Sequence, residues 1–549
     1  MTDNRRLLQI TDVLSGFNIQ ATAISYPIPR DAQALTETIE VGVTDKSRNQ
    51  NAENEIEVFA RLQSGLPDLF RNVFPDRLHP RTVLVVPSLT LDEQVLSKVT
   101  GAHHYEERML CMLQLLRMPN TKVIYVTSQP IAECIVDYYL HLLPGVPHQH
   151  ARERLTLLSC YDGSSRALTQ KILDRPRLLS RIKAVLGNRS LAHMTCFNVS
   201  PLERRLAATL GVPIYGCDPE LQHLGSKSGS RKLFREAGLL VADGFEDLAD
   251  EQELIQALVD LKTRNPDLDR AVIKLNEGFS GEGNAVFSFN GAEGSSVTGG
   301  WIADRLPNLE FIANDMDWEL FRSKIDEMGC VVETYISGTD KRSPSVQYRI
   351  DPTGNLHPVS THDQLLGGDE GQAFLGCSFP ANEDYRLDVQ NSGMAAARLL
   401  HEQGVLGRFG IDFISVREDS GWRHYASEIN LRKGGTTHPF IMLQFLTDGT
   451  YDAETGLFRT PGGHARYYYA TDNLESERYR GLTPEDLIDI AVRHDIHFHG
   501  AAQRGVVFHL IGALSEFGKL GMVCVGNSHE EAERLYRETV DILDKEGCR

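Results

Sequence analysis

Three side chains with oxygen donors occur in two short segments, GIDFIS and SEINLRKGG: Asp412, Glu428 and Asn430. Glu428 and Asn430 are two residues apart on a predicted strand and therefore project from one face. If the intervening turn is centred on Ser420, Asp412 lies opposite Glu428 across a hairpin. Carboxylates inside apolar strands are costly unless neutralised, which disfavours a merely structural pair. Because hard oxygen ligands suit Mg²⁺, which bridges to nucleotide phosphates, the hairpin predicts a magnesium site.

A glycine-rich segment could bind an anion. In KLNEGFSGEGNAVFSF, Lys274 lies in a predicted strand and is followed by Gly278, Gly281 and Gly283. Glycine allows backbone N–H groups to approach a phosphate closely. The spacing fits neither a Walker loop nor a Rossmann fingerprint, and NAVFSF reads as a second strand. The pattern predicts a phosphate-covering flap on a hairpin, with a flexible surface turn as the alternative.

The segment SKSGSRKLFREAG predicts a short helix whose first turns carry Lys227, Arg231 and Lys232. Cations at a helix N-terminus oppose the macrodipole by ~0.3–1 kcal/mol each. We therefore expect an anion beside this helix start. Solvated surface cations are the alternative interpretation.

The strand VVETYISG places Val331, Glu333 and Tyr335 on one face. In a nucleotide site, the strand edge could offer backbone groups to adenine, and Glu333 could offer its carboxylate to adenine or ribose. A half-buried strand with a solvated glutamate is the alternative.

The elements that must position these residues change character along the chain. From Arg81, short apolar runs such as TVLVVPS, KVIYVTS and RLTLLSC alternate with helical stretches, which predicts a parallel sheet covered on both faces. After residue 220 the strands come in pairs, which predicts antiparallel hairpins with helices between them. HYEER at 104–108 is predicted to be a solvated helix face, with contact to a substrate as the alternative.

We therefore predict a multidomain protein of α/β and α+β class. The expected divisions are an N-terminal appendage at 1–80, an α/β domain at 81–220, an α+β region at 221–440 and a small C-terminal α/β cap at 441–549.

Composition excludes several functional classes. The 549 residues carry a net charge of −19, which gives no attraction for nucleic acid or an anionic membrane surface. Nine cysteines without a C-x-x-C pair favour a reducing cytoplasm and disfavour a zinc module. No secretion signal is recognisable, and no apolar stretch approaches the ~20 residues that span a bilayer. We expect a cytoplasmic protein.

The ordered set Lys227, Lys274, glycine flap, Glu333, Asp412 and Glu428-x-Asn430-x-Arg432 resembles the ATP-grasp superfamily. Residues 81–220 resemble the Rossmann-like pre-ATP-grasp domain that precedes it. Longer segments are similar to the carboxylate–amine ligases related to the peptide ligase of pheganomycin biosynthesis: FPDRLHPRTVLVVPSL, HYEERMLCMLQLLRMP, IYGCDPEL, LGSKSGSRKLFREAG and AVIKLNEGFSGEGNAVF. The resemblance extends from about residue 55 to the C-terminal cap.

The resemblance implies a two-lobed ATP-grasp fold, ATP and Mg²⁺ as cofactors, and a role for each matching residue. Contacts to ATP phosphates are implied for Lys227, Lys274 and the 278–283 flap with Gly278, Ser280, Gly281 and Gly283. Contacts to adenine are implied for Glu333 and Ile336, and magnesium ligation for Asp412, Glu428 and Asn430. Contacts to an acyl phosphate are implied for Arg432, Gly434, Gly435 and Thr436, and a place in the site wall for His362 and Gln364.

The implied activity is ATP-dependent formation of an amide or peptide bond through an acyl phosphate, with release of ADP and phosphate. The expected partners are carboxylate and amine substrates, and neither nucleic acid nor a membrane is expected to bind. The sequence does not decide whether the protein forms a homo-oligomer. An ATP-grasp kinase and a nucleotide-binding protein without catalysis are the alternatives.

Overall fold

A computed structural model describes residues 45–90, 96, 99–277, 283–291, 297–313, 316–367 and 373–547. The chain divides into two units, Met1–Ala52 and Glu53–Arg549, and all the site residues described by the structure lie in the second. Two helices, Asp45–Ser64 and Leu66–Asn72, precede the first strand. Among the described residues, no helix combines the length and the apolar character needed to cross a membrane.

The first sheet has four parallel strands in the order β3-β2-β1-β4. They are β1 Arg81–Val86, β2 Thr121–Thr127, β3 Leu155–Ser159 and β4 Ala192–Cys196. Helices pack on both faces: Ala102–Arg117 (3-10), Glu133–His141, His148–Arg152, Leu168–Leu173, Pro176–Leu186 and Pro201–Leu210.

Strand β1 shows why this sheet is covered twice. Its six residues are all buried, as expected for a parallel strand between two layers. Val83 and Val85 join one hydrophobic cluster, and Leu84 and Val86 join the other. This alternation confirms the α/β prediction for the region.

The second sheet has five strands in the order β5-β9-β6-β7-β8. They are β5 Gly244–Leu248, β6 Arg270–Leu275, β7 Asn284–Ser288, β8 Glu310–Phe311 and β9 Cys330–Thr334. The helices Glu251–Arg264, Gly299–Ala303 and Trp318–Met328 share its hydrophobic core. Strands β6 and β7 form the predicted hairpin, in which Lys274 pairs with Asn284.

The third sheet has nine strands and continues into the C-terminal part of the chain. The order is β10-β14-β11-β12-β13-β18-β20-β19, with β15 paired to β14. The first six strands are β10 Lys341–Arg342, β11 Pro344–Ile350, β12 Leu356–Gly367, β13 Ala373–Phe379, β14 Gly407–Glu418 and β15 Gly421–Asn430. A separate pair follows, β16 Thr450–Asp452 and β17 Leu457–Arg459, and then β18 Tyr467–Glu475, β19 Gly505–His509 and β20 Lys519–Gly526.

Helices complete this part of the fold. Lys227–Glu236 and Arg386–Glu402 share one core with β11 and β14. The later helices are Thr437–Thr447, Pro484–Arg493, Leu514–Phe517 and His529–Glu546. Short 3-10 turns lie at Arg189–Leu191, Pro219–Gly225, Leu306–Asn308, Glu477–Tyr479 and Ile511–Ala513. Because β18 pairs with β13, the sheet crosses the division expected at 440/441, and the four-part division of the chain stays a prediction.

Candidate active site

One cavity of about 810 Å³ collects side chains from the second and third sheets and from segments beside the first sheet. Most of the residues singled out in the sequence line it: Lys227, Lys274, Glu333, Ile336, Gln364, Asp412, Glu428, Asn430, Arg432, Gly434, Gly435 and Thr436. They come from segments up to about 200 residues apart in the chain, and the fold brings them to one space.

The β14–β15 hairpin positions the three oxygen donors. Asp412 pairs with Glu428, as predicted. Near the turn, however, Glu418 pairs with Gly421, and that register continued unbroken would place Asp412 opposite Ser427. A β-bulge between Asp412 and Phe413 shifts the register by one residue. The two carboxylates therefore face each other because of the bulge.

Asp412 is surrounded by hydrogen-bond donors. Asn430 Nδ2 donates to Asp412 Oδ2 at 2.9 Å, and the Ser345 and Gln364 side chains also hydrogen-bond this carboxyl group. Burial, followed by the charge of Glu428, raises the pKa of Asp412 to about 6. A bound cation would relieve the repulsion between the two carboxylates, so the donor set fits a hard divalent ion.

Lys227 reaches Glu428 from the first turn of the helix Lys227–Glu236. Ser226 caps this helix by accepting from the Gly229 N–H, and Ser230 Oγ accepts from the Ile429 N–H on β15. Lys227 Nζ lies 2.6 Å from Glu428 Oε1. Burial acts to raise the pKa of Glu428, but the charges of Lys227, Arg432 and Lys274 together outweigh it and the pKa is lowered. The helix is thereby docked on the strand that carries the carboxylate.

The anion expected beside this helix start is supplied by the protein itself. Besides the Lys227–Glu428 pair, Arg231 Nη1 lies 2.6 Å from Glu333 Oε1, and Lys232 pairs with Asp247. Each cation thus has a carboxylate partner.

Glu333 links two cations on the opposite wall. Its Oε2 lies 2.6 Å from Lys274 Nζ, while Oε1 pairs with Arg231. Burial acts to raise the pKa of Glu333, but Lys274 and Arg231 outweigh it and the pKa is lowered. The buried carboxylate holds Lys274 in place, and its contact with adenine or ribose stays a prediction. Ile336 lines the cavity two residues after the end of the same strand, Cys330–Thr334.

The loop that follows Asn430 is anchored on the first sheet. Lys433 N donates to Phe197 O at 3.1 Å, and Lys433 Nζ donates to Thr195 Oγ1 at 3.1 Å. Burial lowers the pKa of Lys433 to about 8. This anchoring sets the position of Arg432 at the cavity wall. Any side chain at Gly435 would collide with the Phe374 ring, 2.6 Å from a Cβ there.

The prediction that His362 lines the site is wrong. His362 is fully buried and lies outside the cavity lining. Its ring packs against Phe379 and Tyr468, and Nε2 is hydrogen-bonded to the Tyr468 hydroxyl. It is a core side chain, because the sheet extends past it to β13 and β18.

The flap lies largely outside the described residues. Gly278, Ser280 and Gly281 belong to that part, so their predicted contacts with phosphate stay predictions. Gly283 is described, and its carbonyl accepts from the Leu275 N–H at 2.9 Å.

Sequence reasoning missed the far end of the cavity. HYEER is not a solvated face, since Glu106, Glu107 and Arg108 are buried. Arg108 lines the cavity together with Asp472 and Lys519 from β18 and β20. The only local signal was a charged run just before the apolar segment 109–116. Such a run does not indicate which residues about 360 positions away will contact it.

Two family models and several solved structures match this chain. The family described as "IQCH-like, ATP-grasp" matches residues 219–293 and 312–454, and the "PGM1 C-terminal domain" matches residues 486–539. Among solved structures, the Campylobacter jejuni biotin carboxylase in its β-γ-ATP complex is 14% identical with a TM-score of 0.52, covering 85% of this chain and 94% of that one. The biotin carboxylase domain of Hydrogenobacter thermophilus 2-oxoglutarate carboxylase, in complex with MgADP, ADP and bicarbonate, is 12% identical with a TM-score of 0.51, covering 84% and 89%. The protein has an ATP-grasp fold.

Two curated proteins are similar in sequence. The L-propargylglycine–L-glutamate ligase of Streptantibioticus cattleyicolor is 28% identical over 476 residues, which are 84% of this chain and 94% of that protein. The IQ motif-containing protein H of Danio rerio is 22% identical over 427 residues, 69% of this chain and 40% of that protein. The predicted resemblance to ATP-grasp carboxylate–amine ligases is confirmed.

Proposed function

We propose that the protein is an ATP-dependent ligase that joins a carboxylate to an amine. The observation that carries this proposal is the convergence of Lys227, Lys274, Asp412, Glu428 and Arg432 on one cavity. The similarity to a ligase that joins two amino acids supports a carbon–nitrogen bond as the product. In the proposed reaction, the carboxylate attacks the γ-phosphate of ATP, and the amine displaces phosphate from the resulting acyl phosphate.

The nucleotide phosphates are assigned to the end of the cavity that carries Lys227 and Lys274. Their ammonium groups are held by Glu428 and Glu333, so both are positioned before the ligand arrives. Preorganised charges of this kind stabilise a transferring phosphoryl group without reorganisation during the reaction. We include the flap residues Gly278, Ser280, Gly281 and Gly283 in this assignment.

The metal is assigned to Asp412, Glu428 and Asn430. A bound Mg²⁺ would neutralise phosphate charge and orient the nucleotide. The protein's own contribution is to hold both carboxylates at one point through the bulged hairpin and to keep Asp412 oriented by donation from Asn430.

The acyl transfer end is assigned to Arg432 and to the backbone around Gly435 and Thr436. A planar guanidinium and N–H groups can stabilise the negative charge that develops on phosphate and on the carbonyl oxygen. Binding of both substrates beside each other supplies the remaining acceleration by proximity.

The experiment that tests the proposal measures ADP release with a panel of carboxylates, Mg²⁺ and hydroxylamine as a generic amine. A ligase produces a hydroxamate and phosphate together with ADP. The panel includes hydroxy acids, so a stable phosphoester formed without an amine would indicate the kinase instead. Absence of ADP release with every compound would indicate a protein without catalysis.

We also propose that the reaction takes place in the cytoplasm. The eight described cysteines are free thiols, which supports a reducing cytoplasm. Small carboxylates and amines are the proposed partners, and a homo-oligomer remains compatible with the proposal.

A further inference from the structure

The cavity has a second charged end, away from the two lysines assigned to phosphate, where Arg108 and Lys519 lie beside the carboxylates of Asp472 and Glu475. Arg108 extends from the 3-10 helix Ala102–Arg117 and is 5% exposed. Its guanidinium carbon lies 4.6 Å from the ring centroid of Tyr105 and 4.6 Å from that of Phe197. The guanidinium thus lies over two aromatic rings, an arrangement that holds it by cation–π contacts.

The protein satisfies the hydrogen-bonding groups of Arg108 incompletely. Nη1 lies 3.1 Å from Asp472 Oδ2, whereas buried Nε has no hydrogen-bond partner within the described part of the chain. Because Nε is buried, a ligand in the cavity can reach only the parts of Arg108 that line it. Because a guanidinium presents its donors as a planar fork, a carboxylate is the group that fits it best.

Asp472 is itself part of a buried cluster that keeps Arg108 in place. Asp472 Oδ1 lies 2.8 Å from His509 Nε2 and 3.5 Å from His438 Nε2. Burial acts to raise the pKa of Asp472, but His438, His509 and Arg108 outweigh it and the pKa is lowered. The three ligand atoms are also spaced as in a metal site. The guanidinium on the same carboxylate disfavours a further cation there, so we assign the cluster to positioning.

Lys519 adds a second cation at this end. It lies at the start of β20, lines the cavity and is 8% exposed. Its Nζ lies 5.4 Å from the Tyr105 centroid, and its ion pair with Glu475 is long, at 3.9 Å. Leu89, Phe374 and Leu375 supply apolar wall nearby. This end therefore combines two cations, two carboxylates and apolar surface.

We propose that Arg108 and Lys519 bind a carboxylate of the substrates that is not consumed in the reaction. The proposal rests on the ligase function and narrows the substrate class to amino acids, peptides or dicarboxylic acids, whose coupled product keeps a free carboxylate. The group belongs to the acyl donor or to the amine, and the experiment separates these two sources.

The test begins with wild-type protein, ATP and Mg²⁺ and two mixtures. The first contains the twenty common L-amino acids with succinate and glutarate, and the second contains acetate, benzoate and simple alkylamines. Mass spectrometry should find a coupled product from the first mixture that carries a free carboxylate. Products from the second mixture only would overturn the proposal while leaving the ligase function intact. Absence of any ATP-dependent amide or hydroxamate with any carboxylate would refute the ligase function instead.

The second step pairs substrate changes with protein variants. Replacing the retained carboxylate by a carboxamide should raise the KM of wild type about 100-fold, as for a lost charge-assisted contact. Arg108→Gln should show a similar rise with the acid and little further rise with the carboxamide. Arg305→Gln, whose guanidinium lies 3.7 Å over the Trp301 ring outside the cavity lining, is the matched control and should behave as wild type.

Two further measurements keep the result interpretable. Nucleotide affinity should stay within about twofold in Arg108→Gln, since distant sites act independently. If that variant does not fold, Lys519→Gln should show the same dependence on acid against carboxamide. Hydroxamate formation with hydroxylamine falls in the variant if Arg108 holds the donor and is retained if it holds the amine. Equal use of acid and carboxamide by wild type, or equal losses on both by the variants, would contradict the proposal.

Discussion

The two ends of the cavity are charged in different ways. At the nucleotide end, Lys227 and Lys274 each have a carboxylate 2.6 Å away, so the site is close to neutral and rigid before any ligand binds. At the far end, the carboxylate partners are farther away: Arg108 Nη1 lies 3.1 Å from Asp472, and Lys519 Nζ lies 3.9 Å from Glu475. The comparison teaches that the first end is built to hold a phosphate chain in one position. The second end holds its cations in longer ion pairs, which suits them to an exchangeable contact with an anionic group of a substrate.

The largest effect is expected from Glu428, the carboxylate at the nucleotide end that pairs with Lys227 and is also a proposed metal ligand. Glu428→Gln keeps the shape but loses the charge that faces Lys227 and the proposed metal. We expect kcat to fall about 100-fold or more, because a bound metal contributes several kcal/mol to charge stabilisation.

The matched control for that variant lies on the same hairpin. Glu418 is exposed and pairs only loosely with Arg423, at 3.3 Å. Glu418→Gln should keep wild-type kcat and wild-type Mg²⁺ dependence in steady-state assays. If both variants retain activity, the magnesium assignment is wrong.

Glu333, which pairs with both Lys274 and Arg231, is expected to affect stability more than nucleotide binding. Glu333→Gln leaves Lys274 and Arg231 buried with less compensation, and removing one partner of a buried ion pair costs about 3–5 kcal/mol. The free energy of unfolding, measured in urea, should fall by that amount. Glu327→Gln, which removes an exposed partner of Lys324, should change it by less than about 1 kcal/mol.

Lys274→Ala should have the opposite profile. Glu333 keeps Arg231 as a partner, so we expect a smaller loss of stability than in Glu333→Gln. ATP affinity should fall about 10- to 100-fold, as for a lost charge-assisted contact. Fluorescence titration with an ATP analogue measures this, and unchanged affinity in the folded variant would end the proposed phosphate role.

A pH titration sharpens the account of Asp412. Its pKa is raised from 3.8 to about 6, so its carboxyl group binds a proton at higher pH in the folded state than in the unfolded state. Its contribution to the free energy of unfolding therefore falls as the pH rises from about 4 to about 6. Mg²⁺ affinity should change in the opposite direction, weakening as the pH falls through about 6. Calorimetric titrations of Mg²⁺ in the presence of an ATP analogue should show this in wild type, and Asp412→Asn should bind weakly at every pH. A flat wild-type profile would contradict the assignment.

The smallest effect on chemistry is expected at His362. Its ring is buried outside the cavity and bonded to Tyr468. His362→Gln should leave KM for ATP and kcat within about twofold and reduce stability by about 1–3 kcal/mol through the lost buried hydrogen bond. A large rise in KM for ATP in a stable variant would show that His362 does contribute to the nucleotide site.

Much of the nucleotide end was readable in the sequence because its residues fall in short, recognisable segments. The Asp412–Glu428 pairing was predicted correctly, but only because two deviations from the assumed hairpin, at the turn and at the bulge, cancel each other. The turn pairs Glu418 with Gly421, and the bulge restores the expected partner. Strand alternation alone cannot detect a bulge, because the extra residue leaves no local pattern.

The far end was not readable for a different reason. Arg108 and Asp472 are 364 residues apart, and neither segment carries a local signal for the other. His362 was misplaced because a histidine close to a site segment has the same local pattern whether it lines a cavity or packs between strands. Both errors come from contacts that only the assembled sheets determine.

The central claim is that ATP activates a carboxylate as an acyl phosphate, and isotope transfer tests it most directly. A carboxylate that forms a hydroxamate with this protein is labelled with heavy oxygen in its carboxyl group, and the released phosphate is analysed by mass spectrometry. If the carboxylate attacks the γ-phosphate, one labelled oxygen passes into phosphate for each amide formed. Turnover to the amide with unlabelled phosphate would contradict carboxylate phosphorylation and therefore the proposed mechanism.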